Sequence, residues 1–226
     1  MTPRPDEIIF DRRRSRLMIS VLPGGKVVVK APEGMPMRVI KAFLRDHADW
    51  ITEKKAFMSL VPPRPQIEIK EGGKLWLAGV QFPLHFVDEG CDLIDFDPDV
   101  GFTMANSIRS EGIDCLREFY RVYTRTIATA KAEKYAKKWD LQFNSIRVTG
   151  AMKRWGSCSV NNNLNFSLRL AMIPYDAIEY VVVHELAHTR YHDHSPEFWR
   201  FVERMFPEYD AQRRWLKKNS FRFPEI

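Results

Sequence analysis

The chain has 226 residues and a mass of 26.5 kDa, enough for one large or two small domains with a real core and too long for a disulfide-dependent miniprotein. Apolar residues make up 45% and charged residues 28%, which excludes a largely disordered or fibrous chain. The formal charge of +6 sits in one segment, because residues 109–154 hold eleven Lys or Arg against five Asp or Glu while the rest holds twenty-four against twenty-four.

No stretch reaches the roughly 18 to 20 apolar residues of a bilayer span, and the N-terminus has no apolar run for export. Cys91, Cys115 and Cys158 are odd in number, far apart and without a C-x-x-C, so neither a disulfide framework nor a cysteine zinc ribbon is expected. The expectation is a cytoplasmic protein without a membrane partner.

Residues 8–21 and 26–30 read as strands turned by Pro23-Gly24-Gly25, and residues 37–58 carry Val39, Phe43, Trp50, Ile51 and Phe57 at helical spacing. After Pro62-Pro63-Arg64-Pro65, short strands are expected at 66–70, 74–78 and 80–87. Residues 88–99 hold six acids in twelve positions, an expected exposed acidic hairpin, and a linker follows at 101–110. Leu116, Phe119, Tyr120, Tyr123, Ile127 and Ala130 then predict one long amphipathic helix over 110–139. On it, Arg117, Arg121, Arg125, Lys134 and Lys138 are candidate contacts to nucleic acid, against the plainer reading of a solvated helix face.

Residues 145–152 and 163–170 alternate as a β-hairpin would, and Asp176 with Glu179 is a capping-box variant opening the next helix. The expected division is a β-rich N-terminal region with one helix over 1–105 and a second domain over 106–226, an α+β protein.

The segment that carries chemistry is His184-Glu185-Leu186-Ala187-His188. Residues four apart on a helix share a face, so both imidazoles can hold one ion with Glu185 beside them. With six histidines in the chain, chance supplies roughly 0.01 occurrences of this pattern. A zinc ion with an open position can lower the pKa of bound water, and an adjacent carboxylate can take its proton. The third ligand is open among His192, Asp193, His194 and Glu197. His194 has metzincin spacing, but Tyr191 stands where those helices break at glycine.

Arg154 through Ser159 (Arg-Trp-Gly-Ser-Cys-Ser), Leu164-Asn165, Leu170, the segment 180–188, and His194-Ser195 followed by Phe198-Trp199 together resemble the YgjP-like family of predicted zinc metallopeptidases. The resemblance runs almost end to end and is strongest over about 110–217. It implies a zincin-like domain of support helix, short sheet and metal helix, related in plan to SprT-like and gluzincin proteases, acting on a peptide or protein. It also implies one zinc ion, with His194 as third ligand after His184 and His188. Helix geometry agrees in disfavouring His192, since three imidazoles in a straight row cannot surround one ion. Glu197 is the runner-up.

Glu185 is the expected general base. Arg154, Ser157, Asn165 and Tyr191 are candidates for substrate or transition-state contact, Trp155 for a core plug, and Gly156 for a turn residue. A nucleophilic Cys158 is disfavoured, because metal-activated water makes a thiolate redundant. The alternative function is a nucleic-acid-associated protein binding through helix 110–139, with or without proteolysis of bound proteins.

Overall fold

The computed structural model describes residues 3–60, 64–88 and 94–226, and the chain divides into two compact units, residues 1–64 and 65–226. In the first, β1 (Glu7–Asp11) pairs in parallel with β3 (Val27–Pro32), and β2 (Met18–Val21) pairs antiparallel on its other side. The inward residues of β3, Val27, Val29 and Ala31, meet Ile40, Leu44 and Ile51 from two helices.

The single helix expected over 37–58 is broken into α1 (Met37–Asp46) and α2 (Ala48–Ser59). At the break, His47 leaves helical geometry and its backbone N–H turns to the Arg45 carbonyl, while its ring Nδ1, 2.8 Å from the Phe43 carbonyl, replaces the lost backbone donor.

In the second unit, β4 (Lys74–Leu77), β5 (Val80–Val87), β6 (Ile94–Asp97) and β7 (Gly101–Ala105) form a sheet of order β4-β5-β7-β6. The expected division at 105/106 is therefore corrected. Residues 101–105 are an inner strand rather than a linker, with Phe102 and Met104 fully buried in the same core as the histidine helix. Two backbone bonds from the β4–β5 turn, Ala78 N–H to Ala171 and Gly79 N–H to Met172, fasten this sheet, as does the Tyr120 hydroxyl on the Trp76 carbonyl at 2.6 Å. Residues 66–70 form no ladder, and their alternation reflects Ile67 and Ile69 packing into the core. Cys91 and the middle of the acidic segment lie outside the described residues, as do Pro62 and Pro63.

The long helix α3 (Gly112–Trp139) lies against α4 (Tyr175–Ala187) and a second small sheet of order β8-β10-β9. The expected hairpin is a different connection. β8 (Ser145–Thr149) runs parallel to β10 (Asn163–Ser167), and β9 (Gly156–Cys158) returns antiparallel along β10's other edge. Alternation reports which side chains are buried and is silent on strand direction, so parallel pairing was not legible from it.

The architecture is α+β, and among the described residues no helix is long and apolar enough to cross a membrane.

The capping box at Asp176 and Glu179 does not form. Pro174 occupies the N-cap, and Glu179 instead takes bonds from Lys131 at 2.5 Å and the Tyr135 hydroxyl at 2.8 Å, tying α4 to α3. Burial works against the Glu179 charge, but these two bonds outweigh it and hold the carboxyl below its ordinary value of 4.5. A lowered folded-state pKa gives stability that is present above the unfolded value and lost as pH falls through the folded one. Glu179→Gln should therefore lower stability at neutral pH by roughly 1–3 kcal/mol in denaturant melts, and the gap to the natural protein should narrow as the pH falls below the ordinary carboxylate range. A gap independent of pH would refute this role for the charge.

Candidate active site

Helix α4 ends at His188, and the chain turns at once: the N–H groups of Arg190 and Tyr191 both bond the Ala187 carbonyl. Tyr191 needs no left-handed backbone, since the positive-φ non-glycine residues among those described are Ala78, Asp140 and Asn162. The reversal is therefore made without the glycine that metzincins use. Asp193 Oδ1 then accepts from the Ser195 N–H, and Ser195 Oγ caps α5 (Pro196–Met205) by accepting from Phe198. This local hydrogen bonding carries His194 back over α4.

His184, His188 and His194 converge with their candidate ligand atoms all within 4.8 Å of one another. The Nε2 atoms of His184 and His194 are 3.1 Å apart, close to the roughly 3.3 Å edge of a tetrahedron with zinc–nitrogen bonds of about 2.0–2.1 Å. His188 Nδ1 lies 2.9 Å from the Tyr191 carbonyl; with its proton donated there, Nε2 keeps the lone pair a metal needs. Burial first, then the neighbouring His188 and His194, push His184 down to about 3, so its imidazole is neutral at physiological pH. His184 Nδ1 is buried without a hydrogen-bond partner among the described residues. The donor set thus fits a zinc-like ion.

Aromatic packing fixes these rings. Phe198, fully buried, stacks on His188 with centroids 4.4 Å apart, and Trp199 stacks on His194 at 5.6 Å. Of the other ligand candidates, His192 and Asp193 are exposed outside the cluster, and Glu197 pairs with Arg200 on the first turn of α5.

Glu185 is 7% exposed. Burial pushes its carboxyl up to about 8, while Arg154 and a bond from the Cys158 N–H draw it back. Gly156 is present for close approach rather than for a turn: a β-carbon there would lie 2.6 Å from Glu185 Cγ and 2.8 Å from Oε1. Trp155 plugs the core edge, its ring 6.3 Å from Phe223 and 4.8 Å below the Arg169 guanidinium.

The structure separates the remaining candidates. Arg154 lines a cavity of about 350 Å³ with His184 and Glu185. Ser157 and Asn165 pair across β9 and β10 and line a second cavity of about 140 Å³, whose wall shares Arg154 and Gly156 but includes neither His184 nor Glu185. Alternation explains this, since Gly156 and Cys158 on the same strand point to Glu185 and the residue between them points away. The Tyr191 ring packs on Phe201 at 5.6 Å, so its part in the site is played by its carbonyl. Cys158 is a free thiol pushed up to about 11 by burial and Glu185, which suits no nucleophile.

The five basic residues of α3 do not make one face. Arg117, Arg121 and Arg125 each follow a buried residue (Leu116, Tyr120, Thr124), whereas Lys134 precedes buried Tyr135 and Lys138 follows it by three. At about 100° per residue, the arginines flank one side of the buried stripe and the lysines the other. Arg117 is paired with Asp114 and Arg121 with Glu118 on the same helix; Lys134 lies over the Tyr135 ring and Lys138 over Trp139. The solvated-face reading is the one this geometry fits.

Sequence reasoning missed Tyr180 and Arg213, which line the cavity, and Arg169. Arg169 is buried and donates to the carbonyls of Met152, Ser220, Phe223 and Pro224, binding the C-terminal segment to the loop before β9. Nothing in the local pattern of these residues marks them, because their partners lie as far as 55 positions away.

Three imidazoles on one helix and its following loop, with a carboxylate beside them, define a candidate metal centre on an α+β scaffold. The chain belongs to the YgjP-like family, whose metallopeptidase domain matches residues 15–219. Among solved structures, the metallopeptidase zymogen of Pyrococcus abyssi abylysin is 22% identical, the likeness covering 43% of this chain and 98% of that one with a TM-score of 0.37. No curated protein matches the chain.

The contact at Gly156 is testable by a double-mutant cycle. Gly156→Ala should destabilise the protein by roughly 1–3 kcal/mol with Glu185 present and by near zero in a Glu185→Ala background, read from denaturant melts. An equal cost in both backgrounds would place the strain elsewhere.

Proposed function

We propose that the protein is a zinc-dependent metallopeptidase that binds one zinc ion through His184, His188 and His194 and uses Glu185 as general base and then general acid. The observation that carries this reading is the meeting of three imidazoles, two at the end of α4 and one from the loop after it, with a buried carboxylate of α4. The family's metallopeptidase domain supports it. Bound zinc supplies Lewis acidity toward water and a peptide carbonyl. The chain's own groups do the rest.

Glu185 is held by the Cys158 N–H and faced by Arg154, with its proton affinity raised toward neutrality, where a base and acid of one turnover works best. Its carboxylate accepts the proton of the attacking water and returns it to the departing amine. His188 is kept in one tautomer by the Tyr191 carbonyl. Arg154 is placed to offset negative charge developing on the substrate oxygen.

The substrate backbone is proposed to lie along β9, the edge strand of its sheet. Trp155 C=O and Ser159 N–H bond toward β10, so the backbone groups of Gly156 and the Cys158 carbonyl face the free edge, the Cys158 N–H being taken by Glu185. An extended peptide can add there as a strand.

Glu185→Gln should retain about one zinc per chain by elemental analysis while peptide hydrolysis falls by roughly two or more orders of magnitude. Unchanged turnover would remove Glu185 from the role. His194→Ala should lose zinc on dialysis while His192→Ala keeps it, and the reverse pattern would reassign the third ligand.

A further inference from the structure

The cavity beside His184 and Glu185 has an unbalanced wall. Three cations line it, Arg154 from the loop before β9 and Arg213 and Lys217 from α6 (Tyr209–Asn219), against the single carboxylate of Glu185. The rest of the lining is largely apolar or aromatic, including Trp155, Tyr180 and Leu216.

Across the same unit, Arg117, Arg121, Lys131, Arg200 and Arg214 each pair with an acid. Among the described residues Arg154, Arg213 and Lys217 form no ion pair with a carboxylate. On α6 Asp210 pairs with Arg214, leaving Arg213 facing the cavity. Arg213 and Lys217 are one turn apart on that side, a like-charged pair that repels itself unless an anion lies between.

Arg213 is also held in place. Its guanidinium lies 4.4 Å over the Trp199 ring, and Trp199 itself stacks on His194 at 5.6 Å and Tyr209 at 5.7 Å. The fork of N–H donors is thus fixed one aromatic ring from the histidine cluster. Stacking uses the guanidinium face and leaves its edge, which matches a carboxylate in two hydrogen bonds.

We infer that this cavity is a carboxylate-binding subsite, so that the protein selects peptides bearing an acidic side chain, or the peptide's own C-terminal carboxylate, next to the bond it cuts. The inference rests on the peptidase reading for the kind of molecule bound. A polypeptide offers anionic groups of these two origins, and a volume of about 350 Å³ accommodates a side chain or chain end rather than a folded surface.

Binding tests this without requiring turnover. Full-length Glu185→Gln protein loaded with zinc would be titrated with three fluorescent hexapeptides: one with a single central glutamate and an amidated C-terminus, its glutamine counterpart, and the glutamine peptide with a free C-terminus. At least one carboxylate-bearing peptide should bind about tenfold or more tightly than the amidated glutamine peptide, with the advantage shrinking as salt rises. Which one does identifies the source of the carboxylate. Replacing both Arg213 and Lys217 with Gln should bring the ratio near one. Replacing both Arg214 and Lys218 with Gln, an equal charge change at two exposed residues of the same helix outside the cavity lining, should leave it intact. Equal affinity for all three peptides, no binding of any, or a preference that survives the double substitution would overturn the inference. If the preference holds but the natural zinc-loaded protein hydrolyses none of the peptides, the subsite stands and the peptidase reading fails.

Discussion

The organising constraint is the crowding of His184, His188 and His194 against one another on an apolar wall. Their ring centroids lie 4.7 to 5.1 Å apart, with the buried Phe198 ring against them. Burial first, then the neighbouring rings, hold His184 and His188 below their ordinary value, toward the neutral form that binds metal. That constraint dictates the stiffness of everything nearby. α4 must end at His188, the chain must reverse within a few residues, and Phe198 and Trp199 must hold the rings in place while Ser195 starts the next helix.

The same economy governs the carboxylate. Glu185 points from α4 toward β9, and a strand can approach so closely because Gly156 has no side chain there. β9 is in turn held from behind by β10 and at its start by Trp155, which Arg169 covers while drawing in the C-terminal segment. The β4–β7 sheet, bonded to the segment before α4, makes the foundation continuous from Leu75 to Phe223. The scaffold thus sets both sides of the cleft: the histidine helix α4 on one and the three-residue edge strand β9 on the other.

Much of this was legible in the chain. The five-residue histidine motif marked the candidate site because helix periodicity alone puts its two imidazoles together. The Ser195-Pro196 start of a helix marked where the chain must turn, and the long 3.6-residue pattern over 110–139 located α3. What was not legible depended on long-range choices. The sense of β8 against β10, the position of β7 inside a sheet, and the break at His47 are decided by partners that alternation does not specify. Ser157 and Asn165 drew attention through a conspicuous block, yet strand parity turns them from Glu185, while Arg213 looked like any surface arginine until Trp199 was placed beneath it.

The central claim is a nitrogen-only protein ligand set for one zinc ion. X-ray absorption at the zinc edge on the purified, zinc-loaded full chain tests it most directly. The account predicts one zinc per chain with three imidazole nitrogens at about 2.0–2.1 Å, a remaining light-atom ligand and no sulfur at about 2.3 Å, with the imidazole signal reduced in His194→Ala. A sulfur shell from Cys158, a spectrum unchanged by that substitution, or protein that takes up no zinc with all three histidines intact would contradict it.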